Sequence, residues 1–319
     1  MPPPAAPFPH AGELAALGTA GCWVASVLAF EAAGRRIGSL TVNLIRLVMA
    51  IALGALAGWA LRGLPLPTDA TPHAWLWLSV SGLVGFTFGD LCLFRAFIVL
   101  GARLSSLMMA LVPPLTAVIG WALLGEVLGG RDLVGMAMTV GGVVWALSER
   151  MRRTGGRTAG PPGAVAAPAS PSAPAGPTPW GVVLGLGGAL GQAGGLVLSK
   201  LGMGGYDPFA ATQIRVLAGT AGYVVLFTAL GRWGRVGRAT SDRRAMAHTA
   251  VGAFFGPFLG VSLSLLAVQH TLTGVAASIM STTPVLIIPA VVLLGRERVG
   301  PGGWLGAALA VAGVVVLFL

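Results

Sequence analysis

Apolar runs of about 20 residues alternate with short polar breaks along almost the whole chain, and about 20 residues is what a helix needs to cross the hydrocarbon of a bilayer. The pattern predicts ten helices, over residues 12–32, 39–61, 74–99, 104–125, 132–148, 180–200, 209–231, 246–269, 274–295 and 302–319. One stretch breaks it: residues 149–179 contain Arg, Pro, Ala, Gly, Ser and Thr with almost nothing large and apolar. Such a segment cannot bury enough surface to order itself, so it reads as a flexible linker. The chain therefore divides into a five-helix unit over 1–148, the linker, and a second five-helix unit over 180–319.

The two units repeat one another. An offset of 171 carries Gly85 onto Gly256, Gly89 onto Gly260, Ala96 onto Ala267, Pro113 onto Pro284, Glu126 onto Glu297, Gly135 onto Gly306 and Gly142 onto Gly313. Upstream an offset of 169 sets Ile45-Arg46-Leu47 on Ile214-Arg215-Val216, and the two-residue difference falls in a loop. Five spans is an odd number, so the second unit must enter the membrane from the opposite side. The fold class expected is all-α and integral to a membrane, with ten transmembrane helices as two inverted five-helix repeats.

Composition agrees: a chain 55% hydrophobic and 9% charged cannot hide its apolar side chains in a soluble core. The formal charge of +10 lies mostly in short loops, where it reads as topology rather than as nucleic-acid binding. Breaks after the odd-numbered spans hold 14 arginines, among them Arg35, Arg36, Arg232, Arg235 and Arg238, against Arg62, Arg131 and Lys200 on the other face. By the positive-inside rule the linker is cytoplasmic and both termini are outside, with the cytoplasmic membrane as the location. Cys22 and Cys92 lie inside apolar spans without ligand spacing, so neither a metal site nor a cofactor is expected.

An Ile-Arg near the start of the second span of each unit, and a Pro about a dozen residues before Gly-Glu or Gly-Arg-Glu, give the chain a recognisable look. The carrying segments are PPLTAVIGWALLGEVLGGRDLVG from Pro113 and PVLIIPAVVLLGRERVGPGGWLG from Pro284. With the duplication, they make the chain resemble the EamA family of the drug/metabolite transporter superfamily. That resemblance implies a permease working by alternating access on amino acids, nucleotide precursors, other metabolites or drugs. It also implies cytoplasmic termini, opposite to the arginine asymmetry.

Ionisable side chains at membrane depth are costly and mark candidate sites. Asp90 lies mid-span and its repeat equivalent is Val261, so no duplicated structural role explains it. It is a candidate for proton coupling or for binding a cationic group, and also for neutralising an arginine inside the bundle; Arg95, five residues on, is turned about 140° away and cannot form a tight same-face pair, and is itself a cavity candidate. Arg46 and Arg215 are repeat equivalents, each one turn after a small polar residue, Asn43 and Thr212. They can line a cavity and meet an anion, or snorkel to the headgroups. Trp23 and its equivalent Gln192 are asymmetric candidates for substrate contact, and Thr282 and Thr283 precede Pro284 where a bend frees carbonyls. Pro113 and Pro284 are expected to bend their helices, and Gly85, Gly89, Gly256 and Gly260 to let helices pack closely. Glu126 is expected to pair with Arg131 in a clasp between helix ends.

These features point to a non-enzymatic carrier that exports a small polar metabolite such as an amino acid. Its expected partners are that solute, the lipid bilayer and a candidate coupling proton, and no nucleic acid. A monomer suffices, with a dimer also open. The alternatives are an efflux carrier for cationic or lipophilic drugs and a membrane sensor or scaffold that transports nothing. The cavity is expected between the first, third and fourth spans of one unit and their equivalents in the other.

Overall fold

A computed structural model describes residues 9–153, 178–287 and 300–319. Every regular element among them is helical. The first unit comprises α1 (Ala11–Ile37), α2 (Ser39–Arg62), α3 (Pro72–Gly82), α4 (Asp90–Met109), α5 (Val112–Leu124) and α6 (Gly130–Arg153). The second comprises α7 (Pro179–Met203), α8 (Pro208–Ala229), α9 (Trp233–Thr240), α10 (Arg243–Ala253), α11 (Val261–His270) and α12 (Thr273–Met280), then helical residues 283–287 and α13 (Pro301–Phe318). Seven of the helical stretches are long and apolar enough to cross a membrane, and Val112–Leu124 and Thr273–Ile287 are shorter apolar helices.

Sequence chemistry places the ends. Thr71, Thr178 and Asp207 each cap the helix that follows by accepting a backbone N–H, and each is followed by proline in the first turn, where its missing N–H costs nothing. Gly63 and Gly125 close α2 and α5 in the left-handed conformation that a side chain would strain.

Three boundaries differ from the hydropathy reading. A break was expected near residues 100–103, but the helix runs on through Met109 and turns at Ala110–Leu111 instead. Residues 100–103 hold one glycine and no proline, whereas Pro113 and Pro114 lie just beyond the observed turn and remove two donors. Helix α6 continues to Arg153, so the first residues assigned to the linker are helical; residues 154–177, its remainder, lie outside the described residues. The basic stretch after α8 forms the short amphipathic helix α9 rather than a plain loop.

Two wider, π-type turns were not legible in the pattern. They occupy Leu83–Gly89, joining α3 to α4, and Phe254–Gly260, joining α10 to α11. The offset of 171 superposes them, and each spans the glycine pair of its unit. Pro257 inside the second cannot donate to the helical ladder, which favours a wider turn there.

The units interlock through equivalent helices. Close approaches set Gly12 beside Thr271, Gly18 beside Leu263, Ser26 beside Gly256 and Phe30 beside Gly252, so α1 runs antiparallel to α10–α11. The mirror pairing sets α7 against α3–α4 with Gly191 on Gly89, Gly195 on Gly85 and Gly202 on Trp77. A methyl group on Gly195 would come within 3.0 Å of Gly85 Cα, one on Gly89 within 3.2 Å of the Gly191 backbone, and those on Gly256 and Gly260 within 2.6 Å of Ser26 and 3.0 Å of Trp23. Helices α6 and α13 also meet antiparallel, Gly142 on Gly306 and Gly135 on Gly313. Tyr223, Phe227, Leu47, Leu78, Ile214 and Leu265 fill the centre, while Leu56, Trp59, Trp121 and Val225 stay exposed around the outside.

A methyl carbon on Gly142 would fall 2.6 Å from the Gly306 carbonyl oxygen, whereas on Gly141 it would meet nothing within 4 Å. Gly142→Ala should therefore lower stability by about 1–3 kcal/mol. Gly141→Ala should be neutral or stabilising by up to about 1 kcal/mol. Thermal unfolding of the detergent-purified variants reads the contrast, and equal effects would sink the packing argument.

Candidate functional site

Between the interlocked units lies a cavity of about 340 Å³. Its lining draws on both halves: Trp23, Phe30, Arg46, Phe86 and Asp90 from the first, Gln192, Arg215, Thr283 and Pro284 from the second. The second and fifth spans of the first unit and the second span of the other also contribute, through Arg46, Val143 and Arg215, which widens the set of lining helices beyond the expected six.

The centre of the site is one ion pair. Arg46 on α2 donates from a terminal nitrogen to Asp90 Oδ2 at 2.5 Å, with side-chain exposures of 15% and 10%. Gln192 on α7 donates to the other carboxylate oxygen at 3.0 Å. The Arg46 guanidinium also lies 5.3 Å from the centre of the Phe30 ring. Asp90 is held where the π-type turn hands over to α4, so the widened turn sets the direction of its side chain. The bundle arginine that neutralises Asp90 is Arg46, a pairing no sequence spacing indicated, while the cavity candidate Arg95 is exposed and does not line the cavity.

Arg215 occupies the equivalent place in the second half, yet its surroundings differ. It is 6% exposed, and its guanidinium lies 5.2 Å from the centre of the Phe86 ring. Among the described residues the guanidinium has no carboxylate partner, and its Nε finds no acceptor. The carboxylate that Asp90 supplies to Arg46 has Val261 at the matching position of the repeat.

The other candidates divide. Trp23, Gln192, Thr283, Pro113 and Pro284 reach the cavity. Asn43, Thr212 and Thr282 are buried outside the lining. Thr282 and Thr283 return their hydroxyl protons to the carbonyls of Ile279 and Met280, at 2.7 and 2.8 Å, the local satisfaction that a bend before proline needs. Both prolines sit next to turns, at Ala110–Leu111 and Ser281–Thr282. Asn43 stands beside Tyr223, whose hydroxyl is buried close to Arg46 and Asp90, but the two do not reach hydrogen-bond geometry. Tyr223 was missed in sequence because a tyrosine in an apolar span has no distinguishing spacing.

A second polar layer joins the halves at the face that carries the termini. Glu126 accepts from the Thr273 N–H and hydroxyl at 2.8 and 2.6 Å, and Lys200 Nζ lies 2.7 Å from its other oxygen, close in distance though not aligned as a hydrogen bond. Lys200, rather than the expected Arg131, is thus the counter-ion; Arg131 instead donates to the carbonyl of Leu319. The sequence equivalent Glu297 lies outside the described residues. Thr271 donates to Glu13 at 2.9 Å, and Gln213 donates to the Pro65 carbonyl at 2.8 Å. Tyr206 donates to Asp69 at 2.8 Å, and Arg62 pairs with the same carboxylate. The Tyr206 hydrogen bond, with Arg62 beside it, holds Asp69 below the usual carboxylate range. A lowered folded-state pKa adds stability above the unfolded value and loses it as pH falls through the folded one, so this link is intact at neutral pH.

The sequence model of the family described as "EamA-like transporter family" matches residues 10–148 and 179–319. Among curated proteins none matches. Eighteen solved chains are similar in structure. One, a crystal structure described only as that of a protein, has 19% identity and a TM-score of 0.70 over 96% of this chain and 94% of its own, a likeness of fold alone.

Removing one partner of a buried ion pair strands the other charge, a loss of about 3–5 kcal/mol, toward the lower figure where a cavity admits water. Arg46→Gln and Asp90→Asn should each lower the unfolding temperature, and the double variant should recover most of the loss. Additive losses in a double-mutant cycle would show that the pair is not coupled.

Proposed function

The chain belongs to the EamA-like transporter family, and from that premise we propose that it is a secondary carrier which exports a small polar metabolite, such as an amino acid, across the cytoplasmic membrane. Its apolar helices make it a multi-pass integral membrane protein. On this reading it has ten spans in two inverted five-helix repeats, and the antiparallel packing of equivalent helices supports the inversion. The observation that carries the proposal is a cavity built from both repeats, charged at its centre and mostly apolar around it, with inter-repeat links on both faces, Glu126 with Thr273 on one and Arg36 with Asp242 on the other. A carrier needs that arrangement: a site at the repeat interface and breakable contacts on either side of it.

The breakable contacts here are Glu126 with Lys200 and Thr273, Tyr206 with Asp69, and Gln213 with the Pro65 carbonyl. The lining extends the other way, to Phe30, Val143 and Leu147 toward the linker face. At that face Arg36 donates to Asp242 at 2.8 Å, an exposed and breakable link between the repeats. Asp90 serves as a coupling group only if it can release Arg46 during the cycle.

The rival reading, efflux of cationic drugs, has less support, because the one carboxylate in the described lining is already neutralised by Arg46. A scaffold that transports nothing leaves a charged cavity between its halves without a use.

Counterflow into proteoliposomes tests the proposal: preloaded amino acids or related metabolites should accelerate uptake of their labelled forms by the wild-type protein. Failure of an amino-acid, nucleoside, sugar and organic-acid panel, with uptake of a cationic dye instead, would replace it with drug efflux. For orientation, a single cysteine placed at Gly205 should react with an impermeant maleimide on intact cells and one in the linker should not. The reverse pattern would put both termini in the cytoplasm.

A further inference from the structure

Two guanidinium groups and one carboxylate line the cavity among the described residues, and the carboxylate is taken: Asp90 accepts from Arg46 on one oxygen and from Gln192 on the other. Arg215 is left over. It is 6% exposed, without an ion pair among the described residues, and braced on one side by the ring of Phe86. Arginine does not lose its proton in proteins, so the charge cannot be relieved by neutralisation. A buried, unpartnered cation is costly, and a fold that keeps one in a cavity has a use for it when the counter-charge arrives from outside.

We propose that Arg215 clasps a carboxylate on the transported solute, so that the substrates are small molecules bearing one free carboxylate on a largely apolar body. The assignment rests on the carrier reading and narrows it. The broken symmetry of the repeat carries it: Arg46 has a resident partner in Asp90, Arg215 has Val261 where that partner would be, and the solute supplies the missing anion.

Charge selects a single anionic group. The described lining has a formal excess of one positive charge, which a monoanion cancels and a phosphate dianion overshoots. The planar fork of a guanidinium matches a carboxylate through two parallel hydrogen bonds. The Gly85 side of the fork is close-packed, since a methyl carbon there would already touch a terminal nitrogen of Arg215 at 3.4 Å with Gly195 and Gly191 behind it, so a carboxylate reaches the guanidinium from the cavity that Arg215 lines. The remaining lining near the site, including Trp23, Phe30, Phe86, Leu93 and Met280, offers an apolar body a dry surface. An ammonium group is not what the site selects for, since the Asp90 charge is already balanced by Arg46.

The test is thermal unfolding of the detergent-purified full chain with benzoate, 3-phenylpropanoate, leucine and phenylalanine, each beside its amide, and with inorganic phosphate. At about ten times its dissociation constant a bound ligand should raise the unfolding temperature by roughly a degree or more. The expected result is a shift with one or more of the carboxylates, none with the matching amides or phosphate, and loss of the shift in Arg215→Gln. Without ligand, Arg215→Gln should unfold at the same or a higher temperature than wild type, because a stranded charge has been removed; a merely structural arginine would give a drop. Arg215→Lys, which keeps the charge and loses the fork, should weaken carboxylate binding by about tenfold or more, and serves if the glutamine variant does not fold.

Equal shifts from acids and amides, protection by phosphate instead, no shift from any carboxylate, or a carboxylate shift that survives in Arg215→Gln would each overturn the assignment. The carrier reading fails separately. Carboxylate binding that depends on Arg215 with no counterflow in sealed vesicles would remove transport and leave the clasp. Counterflow of an amine or a sugar, unaffected by Arg215→Gln, would do the opposite.

Discussion

Close approach of helix backbones at glycine is the constraint from which the rest of this architecture follows. Without a hydrophobic drive between helices in lipid, association depends on packing contacts and on polar links, and both need the axes to come near. Gly89 against Gly191, Gly85 against Gly195, Gly142 against Gly306 and Gly135 against Gly313 bring the two units within backbone contact. Each pair joins a helix of one unit to a helix of the other. The units are therefore not two bundles side by side, and α1 and α7 each spend their length against the other unit's third span. A cavity bounded by both repeats is a geometric consequence of that exchange.

On this symmetric frame the chemistry is asymmetric. The repeat supplies two arginines at equivalent depth but only one carboxylate, and an aromatic side chain, Trp23, where the other unit has an amide, Gln192. Gln192 crosses to the first unit's Asp90, so the polar centre is itself an inter-unit contact. Charge balance in a medium of low dielectric makes such differences count for more than they would in water. The π-type turns add to this, because they re-aim the helix immediately before Asp90 and before Val261.

Much of the site was visible in sequence because membrane depth makes charge conspicuous. Asp90, Arg46, Arg215, Trp23, Gln192 and Thr283 all reach the cavity. Arg95, Asn43, Thr212 and Thr282 do not, and helix phase explains why they were hard to sort: one turn of separation shares a face only while the helix stays regular and its rotation toward the neighbours is known. The Glu126–Lys200 pair, which joins the end of α5 to the end of α7, has no local spacing to betray it, and a nearby arginine in the chain was the natural but mistaken partner.

By itself the sequence determined the class of solvent, the duplication and most helix ends, because apolar length, internal identity and the Thr-Pro, Asp-Pro and Gly punctuation are local properties. Family membership follows from the same local record, in segments before and after Pro113 and Pro284. Tertiary structure alone decided which charges meet. Residues 46 and 90 come within 2.5 Å of each other although 44 positions separate them, and among the described residues Arg215 has no ion-pair partner. Pairing of charges across helices depends on the rotation and crossing of packed cylinders, which no spacing along a single helix encodes.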